Sequence, residues 1–167
     1  MKKLNILILF LLALAICCSS YGCATDKVAL DLVEYTNQSL LGIAELEKRA
    51  LESYASVTGK NYTTNEAITS ALKTEVIPQY KRFVGMLTEV RPETEAVSKI
   101  HQGYVGNSET LLRGFKMKLL GLQREDPTLV IQANSLIDQA RVLNEKWVEE
   151  LNNAYERYGV KKEKKDK

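Results

Sequence analysis

Between residues 26 and 160, apolar side chains recur at steps of three and four. That period places them on one face of a helix, and no segment alternates as a half-buried strand does. The first periodic segment runs over 26–57, with Leu30, Val33, Leu40, Ala44, Leu51 and Tyr54 as its stripe, and Thr58-Gly59-Lys60-Asn61 stops it. The second begins at Thr63, where Thr63-Thr64-Asn65-Glu66 has the form of a capping box. Its stripe is Ile68, Leu72, Val76, Tyr80, Phe83, Leu87 and Val90. Pro78 interrupts it, removing a backbone donor and crowding the preceding turn, so a kink is expected just before it. The apolar register survives across Pro78, which predicts one helix rather than two.

A third helix is expected to open with Pro92 in its first turn, and Glu93 and Glu95 suit its positive end. It carries Val97, Ile100, His101, Tyr104, Leu111, Leu112, Phe115, Leu119 and Leu122. Asp126-Pro127 is a restart signal, cap followed by first helical residue. The fourth helix carries Val130, Ala133, Leu136, Ile137, Ala140, Leu143, Trp147, Leu151, Ala154 and Tyr158, and Gly159 closes it. Four helices of similar length with short links predict an all-α fold. The expected architecture is an antiparallel up-down-up-down four-helix bundle over 23–160, about 45–50 Å long.

The chain opens on a different pattern. Lys2 and Lys3 precede an apolar run from Leu4 to Ile16 that only Asn5 breaks, and Cys17-Cys18-Ser19-Ser20-Tyr21-Gly22-Cys23-Ala24 follows. A basic start, a short apolar stretch and a small-residue exit make 1–22 an export signal. Two cleavages compete. A lipoprotein peptidase would cut before Cys23 and leave it acylated; Gly22 fits the small residue of a bacterial lipobox, while Ser20 and Tyr21 depart from it. An ordinary signal peptidase would cut after Gly22 or Ala24. Lipidation at Cys23 is the favoured reading. Either way all three cysteines lie in the first 23 residues, so the body relies on its core rather than on disulfides.

Charge changes the picture at the two ends. Of 23 Lys and Arg against 21 Asp and Glu, Lys2 and Lys3 leave with the signal, and the mature chain is balanced. The tail 161–167 concentrates Lys161, Lys162, Lys164, Lys165 and Lys167 against Glu163 and Asp166, leaving the body near −3. An acidic body is a poor match for nucleic acid. The tail lacks core residues and is expected to be disordered.

Ile77-Pro78-x-Tyr80-x-x-Phe83, Leu87-x-x-Val90-x-Pro92 and Val97-x-x-x-His101-x-x-Tyr104 resemble a pattern in bacterial all-helical lipoproteins. The likeness covers about residues 65–160. It implies an all-helical body in the cell envelope and carries over no catalytic residue.

Bundle chemistry is mostly missing. A di-iron site wants paired Glu-x-x-His, but His101 is the lone histidine and Ser98 precedes it by three. No Cys-x-x-Cys-His, nucleophile elbow or phosphate loop is present. His101 reads as a part-buried core-edge residue bonded to a neighbour, and the many Glu and Lys as solvated surface. No cofactor or metal is expected, and no enzyme. Two features invite function. Gly103, Gly106, Thr110, Gly114, Met117 and Gly121 form a small-residue stripe expected opposite the apolar face, a candidate interface for an unknown protein partner. The lysine tail would share one bundle end with Cys23, so lipid and basic patch would face the same membrane.

The leading expectation is therefore a non-enzymatic cell-envelope lipoprotein acting as a helical interaction or structural module. Ala24 after Cys23 suits the outer membrane in a Gram-negative cell. A small-ligand-binding or sensor bundle, with a gap near Tyr80 and Tyr104, is the alternative. A periplasmic chaperone or inhibitor-like protein, soluble or secreted, is a further one.

Overall fold

A computed structural model describes residues 27–160. The export signal with Cys23 and the basic tail 161–167 lie outside the described residues. Every regular element within them is helical. Helix α1 spans 27–55, with a π-helical turn at Tyr35–Leu40. A 3-10 turn at Gly59–Asn61 leads to α2, 65–89, which contains a second π turn at Leu72–Val76. Helices α3 (Glu95–Gln123) and α4 (Pro127–Arg157) complete the body. No helix among the described residues is long and apolar enough to cross a membrane.

The expected stripe of α2 is the observed one: Ile68, Leu72, Val76, Tyr80, Phe83 and Leu87 are buried and Val90 is half-buried. The π turn lies immediately before Pro78. Widening that turn accommodates the missing amide while the helix runs on. The cap is Thr64, one residue past the expected Thr63, and its hydroxyl accepts from the Ala67 amide at 3.2 Å. Asp126 caps α4 as expected, accepting from the Thr128 and Leu129 amides. Gly159 stops it with φ at +67°.

Two expectations change. In α1, Leu30 is 70% exposed, and Val33, Ala44 and Leu51 also face solvent; Leu32, Tyr35, Ile43 and Ala50 are buried instead. The extra residue held in the Tyr35–Leu40 turn offsets the register of the two halves, and buried Asp31 breaks the apolar pattern of the true face. Helix α3 starts at Glu95 rather than around Pro92, because Thr94 is its cap. Asp31 of α1 fixes that start. Its carboxylate accepts from the Glu93 amide (3.1 Å), the Thr94 amide (2.7 Å) and the Thr94 hydroxyl (2.6 Å). A carboxylate at a helix N-terminus satisfies orphan amides and favours the dipole.

Two apolar clusters hold the body. The larger joins Ile43 and Ala50 of α1, the α2 stripe, and Tyr104, Leu112 and Phe115 of α3. The smaller joins Leu32 and Tyr35 of α1, Val97 of α3 and Ala154 of α4, with Val28, Val90, Tyr158 and Val160 against it. The beginning of α1 thus meets the end of α2, the beginning of α3 and the end of α4. There the Tyr155 hydroxyl donates to Thr36 Oγ1 at 2.6 Å. Further along, Tyr54 of α1 packs on Phe115, ring centroids 4.8 Å apart.

Candidate functional site: an interhelical cleft

Helix α4 meets α3 largely through small residues. Ala133 and Ala140 are buried on α4, and Gly114 and Gly121 on α3. A Cβ at Gly121 would stand 2.9 Å from the Val130 amide nitrogen, and one at Gly114 would stand 2.9 Å from Ile137 Cγ1. Close approach draws α4 onto α3, while α1 packs on α2 and makes little backbone contact with α4 along Leu41–Ala55. What stays unfilled is a cleft of about 210 Å³ lined from all four helices. Tyr80 and Phe115 lie deep in it, Leu51, Leu111, Ile137 and Ala140 form apolar walls, and Glu47, Asn107, Arg141 and Asn144 are its polar groups.

Glu47 is the unusual one. It sits between Ile43 and Ala50 at core spacing on α1. Its carboxylate accepts from the Tyr104 hydroxyl at 2.5 Å and from the Tyr80 hydroxyl. Burial pushes its carboxyl above the usual carboxylate range, against the opposing pull of those two hydroxyls. No Lys, Arg or His among the described residues pairs with it. Tyr104 is in turn stacked on Trp147, with ring centroids 4.0 Å apart and planes 13° from parallel. Burial, followed by the Glu47 charge, raises the Tyr80 and Tyr104 phenols far above their ordinary value, so both remain donors.

Next to the cleft, Lys118 is only 9% exposed. It donates to Tyr54 Oη at 2.8 Å and to Asn134 Oδ1 at 2.9 Å. Burial holds its ammonium below the usual lysine range, partly offset by the Asp138 charge. Burial and Asp138 together push the Tyr54 phenol up to about 12. Arg141 pairs with Glu145 at 2.9 Å at the outer edge. On the far wall the Asn107 amide is satisfied with its nitrogen donating to Ala140 O (2.7 Å) and its oxygen accepting from the Asn144 amide (3.2 Å). Ser108 Oγ lies at the Tyr80 hydroxyl, and Trp147 Nε1 is buried with no hydrogen-bond partner among the described residues.

The arrangement is suited to recognition: aromatic faces and one carboxylate, held by two tyrosine hydroxyls, around an open volume. His101 lies elsewhere. Its Nδ1 shares a 3.3 Å hydrogen bond with the Tyr35 hydroxyl at the smaller cluster, and burial, with Arg91 nearby, keeps its pKa low. It is buried and bonded to a neighbour, much as its place on the stripe implied.

The glycine stripe does not form the single outward face expected of it. Gly114 and Gly121 are buried against α4; Thr110 and Met117 are half-buried; Gly103 and Gly106 are exposed. The stripe spreads around the helix, and the close approach that its glycines permit is largely used inside the chain.

Of the cleft, the sequence drew attention to Tyr80 and Tyr104, and both stand at Glu47. It missed Glu47 and Lys118, which read as solvated surface, and did not single out Asn107. Their positions did carry a signal. Lys118 follows Leu111 and Phe115 at helical spacing, and Glu47 falls between two core residues. No protein-family model, no curated protein and no solved structure matches the chain.

Proposed function

We propose that this chain is an exported cell-envelope lipoprotein, anchored by a lipid on Cys23, whose helical body is a non-enzymatic module that binds a small molecule between its helices. The observation that carries the binding reading is the vacant cleft of about 210 Å³, lined by fixed hydroxyl and amide groups as well as apolar walls. Convergent polar groups on otherwise apolar walls are what fix a ligand's orientation. The body is read as an antiparallel up-down-up-down bundle, supported by the meeting of the ends of α2 and α4 with the beginnings of α1 and α3. That same meeting brings Val28 and Val160 to one end, which favours Cys23 and the lysines at 161, 162, 164, 165 and 167 facing one membrane. The outer membrane is the proposed address in a Gram-negative cell.

The test uses the lone tryptophan. Trp147 stacks on Tyr104, which donates to Glu47, so an occupant of the cleft perturbs its emission. A panel of fragments of about six to nine non-hydrogen atoms, scaled from a benzene-sized cavity, should give saturable changes with at least one member. No saturable response across the panel would remove the ligand-binding reading. Mass spectrometry of the mature N-terminus should show acylated Cys23, with Cys23→Ser released from membranes. A second reading, a protein partner, is favoured by the exposure of Gly103 and Gly106, where a Cβ at Gly106 would meet nothing within 4 Å.

A further inference from the structure

Around the cleft the charges are not evenly paired. Four charged groups belong to its surroundings: Glu47, Lys118, Asp138 and Arg141. Lys118 is engaged by Tyr54 and Asn134 with the Asp138 charge beside it, and Arg141 is bound to Glu145. Glu47 is left with two neutral hydroxyl donors and no cation among the described residues. A half-buried carboxylate without a counter-ion is an unfavourable arrangement for folding alone. Around it stand the rings of Tyr54, Tyr80 and Phe115, and ring faces attract cations. Tyr54 already takes one ammonium, Lys118, on its hydroxyl at 2.8 Å. The Tyr80 and Tyr104 hydroxyls occupy some of the carboxylate's acceptor sites, and a carboxylate offers about four.

From this geometry we propose that the cleft binds a small organic ammonium ion, its cationic head on the Glu47 carboxylate and its apolar body between Tyr54, Phe115 and Ile137. The proposal rests on the ligand-binding reading and gives it a chemical class. Size agrees: about 150 Å³ of apolar cavity is enough for benzene, and the cleft's 210 Å³ leaves room for a short aminoalkyl arm. An anionic ligand would set its charge against Glu47, and a neutral one would leave the carboxylate uncompensated.

The experiment is calorimetric titration of the mature protein with benzylammonium, benzyl alcohol and benzoate as probes. The expected result is saturable binding of benzylammonium and at least about tenfold weaker binding of the other two, as charge-assisted hydrogen bonds are the strong ones. Glu47→Gln keeps the side chain's shape and its acceptor for the tyrosines, and should weaken benzylammonium by a similar factor. Leu51→Trp, at a surface position on the cleft wall, should abolish binding while leaving Glu47 charged. Equal binding of benzylammonium to wild type and Glu47→Gln would overturn the proposal, as would benzyl alcohol or benzoate binding as tightly as the amine. In those cases loss of binding in Leu51→Trp would leave the cleft a binding site for another class. No binding of any probe overturns the ammonium assignment, and the wider fragment panel then decides whether the cleft binds anything.

Discussion

Adding one methyl group at Gly121 and at Gly106 should move stability in opposite directions. Both glycines lie in α3, and alanine is favoured over glycine in a helix interior by about 0.5–1 kcal/mol. At Gly106 a Cβ meets nothing within 4 Å, so Gly106→Ala should realise that gain. At Gly121 the new atom would stand 2.9 Å from the Val130 amide nitrogen and 3.0 Å from Leu129 Cβ. Neither is the far end of a flexible side chain, so α4 itself must move away. Overpacking of this kind costs about 1–3 kcal/mol, which exceeds the propensity gain. Gly114→Ala should fall between them, because its closest contact is a side-chain atom, Ile137 Cγ1. The two extreme variants should differ by about 2 kcal/mol, or roughly 4–8 °C in Tm for a chain of this size. Thermal and urea unfolding followed by helical circular dichroism reads both. If Gly121→Ala proved as stable as Gly106→Ala, the close α3–α4 approach, and the account of why the cleft stays open, would be wrong.

Asp31→Ala should lose about 1–3 kcal/mol in urea unfolding, since three donors at the start of α3 lose their acceptor, and Asp31→Asn should recover part of it. Stability should fall steeply above pH 10. Tyr35, Tyr54, Tyr80 and Tyr104 have raised phenol pKa values in the fold, so the unfolded chain loses those protons first, and each contributes a slope of up to about 1.4 kcal/mol per pH unit. Lys118, held below 10.5, pushes the other way only at lower pH, and a flat urea midpoint from pH 9 to 11.5 would contradict the buried phenols. Glu47→Gln should be as stable as wild type or more so at pH 7. Because the folded carboxyl titrates above its unfolded value, wild type should regain ground as pH falls towards 4.5, and a widening gap would count against a desolvated Glu47.

Helices were readable wherever one face alone was buried. The α2 stripe from Ile68 to Leu87 is a single apolar row, and it was legible through Pro78 because its steps of four from Ile68 to Tyr80 match the wider π turn there. Asp126-Pro127 was legible because its capping is local. In α1 the sequence misled. Leu30 and Val33 are as apolar as Leu32 and Tyr35, the Tyr35–Leu40 turn offsets the two halves of the helix, and Asp31, which marks the buried face, has its partners 62 and 63 residues away. The start of α3 was missed for the same reason. Glycine in a helix signals a close approach, yet Gly114 and Gly121 do not say whether the approaching surface belongs to the same chain. The cleft was the least legible feature. A charged residue on a helix reads as surface, and only the fold shows Glu47 and Lys118 among aromatic rings.

The central claim is that the interhelical cleft is where this module takes its ligand. The most direct measurement is an amide chemical-shift map of residues 27–160, recorded while the tightest-binding fragment of the panel is titrated to saturation. The account predicts shifts concentrated at Glu47, Leu51, Phe115, Ile137 and Asn144, residues that three separate helices bring to one cleft. Shifts gathered instead around Gly103 and Gly106 on the outer side of α3, with the cleft amides unmoved, would contradict it.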